Sequence, residues 1–233
     1  MNSKLITLLF LLVSVNVFAQ RSNSGWVNLY NGKDLSGWKL LGGKATYEAK
    51  GDEIIGTTVS STPNSFLATE KEYGDFILEV ELLAHPLMNS GIQFRSLSKS
   101  DYQNGRVHGY QMEIDPSARA WSGGVYDEGR RGWLYNLELN PAAKTAYKIN
   151  DWNKYRIECI GNTIRTWVNG IPVSHLIDDM TTKGFIAMQV HGTPSSEPQG
   201  RQIRWRNIRI QTENLKPSAP EDIFVVNMVT NDL

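Results

Sequence analysis

Three stretches of the chain alternate apolar and polar residues, and their polar members are not those of an ordinary solvated face. They run Gly91-Ile92-Gln93-Phe94-Arg95, Tyr110-Gln111-Met112-Glu113-Ile114-Asp115 and Ala187-Met188-Gln189-Val190-His191. Period-two alternation means β-strands with one apolar face buried. Ile92, Phe94, Tyr110, Met112, Ile114, Met188 and Val190 then face a core. The other face collects Gln93, Arg95, Gln111, Glu113, Asp115, Gln189 and His191. Carboxylates, amides, a guanidinium and an imidazole side by side suit a sheet that grips a polar ligand. A merely solvated face is richer in Lys, Thr, Ser and Glu.

The same period recurs along the body of the chain. Phe76, Leu78, Val80 and Leu82 share a face, and Tyr155, Ile157 and Cys159 share another. Asn169-Gly170 between two strand-like runs is a hairpin signal, because both central residues must tolerate positive φ. Ile203, Trp205, Ile208 and Ile210 form a last apolar set with an irregularity near Asn207. Helical turns are expected only within residues 140–148 and 178–182. Many short strands separated by turns predict an all-β sandwich or barrel. Residues 129–151 are long and poor in strand pattern, and such segments in a compact domain are often functional.

The chain divides into a leader (1–19), a short mature N-terminal segment (20–24), one all-β domain (25–212) and a C-terminal tail (213–233). Lys4, the apolar run from Leu5 to Val15 and the small Ala19 describe a secretory signal peptide, with cleavage expected after Ala19. The run is too short for a membrane-spanning helix, so no stable membrane anchor is expected. A periplasmic or extracellular location follows. The 24 basic and 24 acidic residues balance, with no basic stripe, which argues against a nucleic-acid partner. Cys159 is the lone cysteine, so it makes no intramolecular disulfide. Its inward position makes it a small buried apolar residue rather than a reactive thiol, which needs exposure and positive surroundings.

An ordered set of short motifs spans nearly all of the body. It opens with Leu29-Tyr30-Asn31-Gly32-Lys33-Asp34-Leu35-Ser36-Gly37-Trp38. It continues through Ser90-Gly91-Ile92-Gln93-Phe94-Arg95, Gly109-Tyr110-Gln111-Met112-Glu113-Ile114-Asp115 and Gly123-Gly124-Val125-Tyr126. Then come Trp152-Asn153, Val168-Asn169-Gly170, Gln189-Val190-His191-Gly192 and Arg204-Trp205-Arg206-Asn207-Ile208. From Gly25 to Thr212 the chain resembles the 3-keto-disaccharide hydrolase domain family, secreted proteins common in carbohydrate-degrading bacteria. The resemblance implies a concanavalin A-like jelly-roll β-sandwich. For some members it also implies cleavage of glycosides oxidised at C3. The family commonly carries Ser-Gly-Ile-Phe-Phe-Arg where this chain has Gln93 in place of the first aromatic.

The candidate catalytic residues are Glu113, His191, Arg95 and Asp115. Glu113 and Asp115 lie two apart on one strand, about 7 Å between Cβ atoms. Like charges at that range raise at least one pKa, which suits acid–base work. Together with His191 they are also candidate ligands for a divalent metal, the one cofactor considered. A plain alternative pairs one carboxylate with Arg95 across strands. His191, before Gly192 at a strand end, suits a base near neutral pH or a structural hydrogen bond. Gln93, Gln111, Tyr126, Arg131, Trp133 and Gln189 are candidate contacts to substrate. Tyr126 and Trp133 offer flat surface to a sugar ring, unless Trp133 merely covers a loop. Arg131 is a candidate to polarise a carbonyl. The expected ligand is an oxidised di- or oligosaccharide or glycoside. The expected activity is C2 deprotonation, elimination at C1 and hydration. The alternatives are a non-catalytic carbohydrate-binding module on the same sandwich, and a conventional glycosidase using Glu113 and Asp115 directly.

Overall fold

The computed structural model describes residues 25–229. The leader expected at residues 1–19 lies outside them. Strands in chain order are β1 (Trp26–Asn28), β2 (Trp38–Gly42), β3 (Thr46–Lys50), β4 (Glu53–Thr57), β5 (Ser65–Thr69) and β6 (Phe76–Ala84). Next come β7 (Ser90–Leu97), β8 (His108–Ile114), β9 (Val125–Glu128), β10 (Gly132–Tyr135) and β11 (Asn153–Ile160). The last are β12 (Thr163–Val168), β13 (Ile171–Ile177), β14 (Phe185–Val190), β15 (Gln202–Gln211) and β16 (Val225–Asn227). Two short 3-10 turns, Gln103–Gly105 and Pro141–Thr145, are the helical elements among the described residues. The second falls within the turn expected at 140–148. The turn expected at 178–182 is absent, and Asp178 instead accepts a hydrogen bond from the Tyr110 hydroxyl at 2.9 Å. No helix among the described residues is long and apolar enough to cross a membrane.

The strands form two sheets. One runs β16-β13-β12-β11-β6-β15-β4-β3, with β1 paired to β15; the other runs β10-β9-β8-β7-β14-β5-β2. They stack as a jelly-roll sandwich of the concanavalin type. Ile92, Phe94, Tyr110, Met112, Ile114, Met188 and Val190 pack on Phe76, Leu78, Val80, Leu82 and Ile157 in one continuous core. Cys159 belongs to that core, and burial pushes its thiol up to about 12. The period-two reading therefore holds for the inward face of the seven-stranded sheet.

The two outward faces differ in chemistry. On the nine-stranded sheet every acidic side chain along β6 meets a cation: Glu79 binds Arg156 at 2.9 Å and Lys154 at 3.0 Å, and Glu81 binds Arg206 at 2.8 Å. Charges there answer one another, including in the ≈ 290 Å³ hollow beside Glu79, Lys154 and Arg209. On the seven-stranded sheet the outward face is divided: Phe66, Ala68, Phe185 and Ala187 make a small apolar cluster, and beside it lie buried amides and a carboxylate, Gln93, Gln111, Glu113 and Gln189 each being less than 5% exposed.

Alternation fails on that sheet where β10 meets β9, between Trp133 and Tyr135, and, with more consequence for the polar face, on β7. The β7–β8 register shifts between Phe94 and Leu97, and Arg95 has φ of +44°. The bulge turns the guanidinium away from the polar face. It donates instead to the carbonyls of Gly74 and Gly161 and to Asp75, each at 2.9 Å. Arg95 is fully buried there and plays no part at the face where it was expected. Gly109 opposite makes the bulge possible: at φ +135° it has no Cβ, and one would lie 2.6 Å from the Ser96 Oγ.

Candidate functional site

A hollow of ≈ 380 Å³ opens on the outward face of the seven-stranded sheet. Its wall comprises Asn64, Asn89, Arg106, Gln111, Glu113, Arg119, Tyr126, Glu128, Trp133, Gln189 and His191. That volume is in the range of small-ligand sites.

Glu113 is the centre of the hollow's hydrogen bonding. β8 sets Glu113 opposite Gly91, and its backbone is clamped by bonds to Gly124 O (2.9 Å) and from Gly123 N (2.8 Å). Its carboxyl oxygens accept from Asn89 Nδ2 at 2.6 Å and Gln111 Nε2 at 2.9 Å. Gln111 is itself fixed, since its Oε1 accepts from Gln93 Nε2 at 2.6 Å and Gln189 Nε2 at 2.9 Å. Gln93 in turn accepts from the Ser96 hydroxyl at 2.7 Å. Gly91 leaves room for this network, for a Cβ there would lie 2.3 Å from Gln111 Cδ. Burial pushes the Glu113 carboxyl up to about 7, against the pull of Asn89 and Gln111, whose N–H groups favour the anion. The result is a carboxyl that is half ionised near neutral pH, the range suited to a general base.

Asp115 follows the end of β8 and does not line the hollow. Its carboxylate accepts from Ser117 Oγ at 2.6 Å and Arg119 Nε at 2.7 Å. Burial raises this group too, but those bonds outweigh it and hold it below its usual range. Asp115 thus orients Arg119, whose Nη2 lies 3.6 Å from Glu113 Oε1. The guanidinium also lies over Trp121 (4.6 Å) and Trp133 (5.1 Å). Trp133 meets Trp121 and Tyr126 edge-on, making one aromatic wall. β10, which carries Trp133, lies inside the segment that showed little strand pattern.

Glu128, on β9 with Tyr126, and His191, which follows β14, add two more titratable groups to the lining. Burial raises the Glu128 carboxyl, offset in part by Arg106, 3.5 Å away, and by His191. His191 Nδ1 lies 2.8 Å from the Gly192 carbonyl. A carbonyl only accepts, so Nδ1 carries the hydrogen and Nε2 is left to exchange a proton. Gln189 lines the hollow, and its Oε1 is buried without a protein donor.

Of the expected site residues, Glu113, Gln111, Tyr126, Trp133, Gln189 and His191 line the hollow. Gln93 sits one residue behind as support. Arg131 is elsewhere: it pairs with Asp127 at 2.6 Å and with Asp178, which draws it off the face. The expected metal set is not assembled either. Among the described residues no three His, Cys or carboxylate groups gather where they could hold a metal ion, and Asp115 is already saturated by Ser117, Arg119 and the Trp121 N–H. Asn64, Asn89, Arg106, Arg119 and Glu128 complete the wall without having been singled out from sequence. Glu128 was within reach, because it alternates with Tyr126 on β9. The other four sit in loops, where no period operates.

Solved structures with this architecture include a candidate glycosyl hydrolase from Parabacteroides distasonis. It is 16% identical, with a TM-score of 0.59 over 81% of this chain and 94% of that one. A carbohydrate-binding module from Bacillus subtilis is also 16% identical, with a TM-score of 0.54 over 74% of this chain and 94% of that one. A lichenase from a mouse hindgut metagenome is 14% identical, with a TM-score of 0.51 over 80% and 98% of the two chains. At such identities the likeness is one of fold, and catalysts and binding modules share it. No curated protein sequence matches the chain. A family model does match, over residues 25–211. The chain belongs to the carbohydrate-acting family of the 3-keto-alpha-glucoside-1,2-lyase-like domain.

Proposed function

We propose that this protein cleaves glycosides bearing a ketone at C3, with Glu113 as the base that removes the C2 proton. The observation that carries the reading is a buried carboxyl in a polar hollow, raised to about 7 and aimed by two amide donors. A ketone at C3 acidifies the C2 hydrogen. Glu113 takes that proton, and the C2–H electron pair moves into an enolate whose charge rests on the C3 oxygen. Arg119, anchored by Asp115, supplies positive charge for that oxygen. The enolate then reforms the C3 carbonyl as C1=C2 forms and the C1–O bond breaks. His191, protonated on both ring nitrogens before this step, donates its Nε2 proton to the departing oxygen and takes one back from the water that later adds. Water adds across C1=C2, giving the 3-keto sugar and the free alcohol. Gln189 and the Trp133–Tyr126 wall hold the ring. No step is routed through a metal. The leader expected at residues 1–19 would place this activity outside the cytoplasm, on sugars met in the periplasm or medium.

The test is turnover of methyl 3-keto-α-glucoside beside methyl α-glucoside in deuterium oxide. The reading expects release of methanol from the oxidised sugar alone, with deuterium entering at C2. Equal cleavage of the unoxidised sugar would point to a conventional glycosidase. Tight binding of sugar without cleavage of either would point to a carbohydrate-binding module.

A further inference from the structure

A second hollow of ≈ 280 Å³ adjoins the first, and Asn89 and His191 line both. The first chamber is walled by amides, carboxylates, guanidinium groups and the Tyr126–Trp133 aromatic pair. The second presents the exposed Leu87 and Pro194, with Met88 buried in the core behind and Thr58, Thr193, Glu197 and Arg201 around them. Leu87 is 69% exposed, the most exposed of the large apolar side chains among the described residues.

The loop that presents Leu87 is braced. Arg201 Nη1 donates to the Leu87 carbonyl at 2.9 Å and to Glu197 Oε2 at 2.7 Å. The Leu87 N–H donates to His85 Nδ1 at 3.2 Å, and the His85 N–H donates to Gln202 O at 3.0 Å. One arginine thus ties both walls of the chamber together, and an exposed leucine is held in place at its mouth.

Resting on the function proposed above, we infer that this second chamber holds the leaving group and favours an apolar or aromatic aglycone over a second sugar. The reacting ring belongs in the chamber that contains Glu113. The bond to be broken then lies at the shared boundary, where His191 stands, and whatever leaves must project past it. A hydroxyl-rich sugar laid on the exposed Leu87 and Pro194 would gain no hydrogen bond from either side chain. An aromatic ring would cover Leu87 and remove its apolar surface from water.

The experiment compares phenyl and methyl 3-keto-α-glucosides. Affinities are measured with Glu113→Gln, so that turnover does not intrude, and kcat/KM with otherwise unchanged protein; Leu87→Ser is added to each background. The phenyl glycoside is expected to bind at least about tenfold tighter than the methyl one, and Leu87→Ser to erase about tenfold of that ratio. Melting curves should be the same with and without Leu87→Ser, because the side chain is exposed. Turnover with no phenyl preference, or a preference untouched by Leu87→Ser, would overturn the aglycone chamber while leaving the C2 chemistry standing. Phenyl preference without turnover would keep the chamber and remove the chemistry. Failure of both glycosides to bind would end both.

Discussion

Gln111 donates its side-chain N–H to Glu113 Oε2 over 2.9 Å, and its surroundings allow the amide only that orientation. Its oxygen already accepts from Gln93 and Gln189, so turning it over would set N–H against N–H. The carboxyl is therefore aimed by a chain of amides rather than by its own rotamer.

Gly91→Ala tests that chain. The new methyl would fall 2.3 Å from Gln111 Cδ, within a buried network that has no slack. Displacing Gln111 misdirects Glu113, and a roughly tenfold or greater fall in kcat is expected, with KM much less affected. Overpacking should cost about 1–3 kcal/mol of stability. A variant with full kcat would show that Gln111 does not position the base.

Glu113 also leaves a signature in stability. Its folded pKa, about 7, lies above the ordinary glutamate value of 4.5, so the folded state holds a proton that the unfolded chain releases. Stability from this group is fully present below about 4.5 and is lost as pH rises through 7. Glu113→Gln cannot ionise and escapes that loss. The stability of the variant relative to the parent should therefore rise between pH 4.5 and 7, by up to roughly 3 kcal/mol. Denaturant melts of both proteins across that range measure it. A flat difference would mean that Glu113 is not raised.

Arg119 lowers the Glu113 pKa through its charge. Arg119→Met leaves an unbranched side chain of similar reach but removes the cation that lies over Trp121 and Trp133. The rising limb of kcat/KM against pH, set by ionisation of the base, should move to higher pH, and kcat should fall with the loss of charge for the enolate. An unmoved limb would detach Arg119 from Glu113.

Arg95 marks the limit of reading the face from sequence. The strands' alternation located the core and five of the residues that line the hollow, because sheet geometry dictates where such side chains go, whereas Trp133 stood out only as an aromatic. At Arg95 a one-residue bulge overrode the period, and the sequence signal for it was only Gly109, a glycine facing Ser96 across the strands. Asn89 and Arg119 reach Glu113 from loops, where position depends on the assembled fold. Asp115 was legible as a neighbour of Glu113 but not as the anchor of Arg119, since that pairing needs the turn after β8.

Arg95→Met should accordingly behave as a structural variant. It strands the carbonyls of Gly74 and Gly161 and should cost roughly 3 kcal/mol or more. The pH dependence of kcat/KM should stay where it was. A displaced pH profile would return Arg95 to the site.

The most direct measurement is the initial rate of Glu113→Gln on methyl 3-keto-α-glucoside at pH 8, above the pKa of the carboxyl. Gln matches the size of Glu but takes no proton. The rate is expected to fall at least ~100-fold, the lower range for losing a general base, with a cooperative melt retained. A folded variant that cleaves the oxidised glycoside at the parent rate would contradict the assignment of Glu113 as the base.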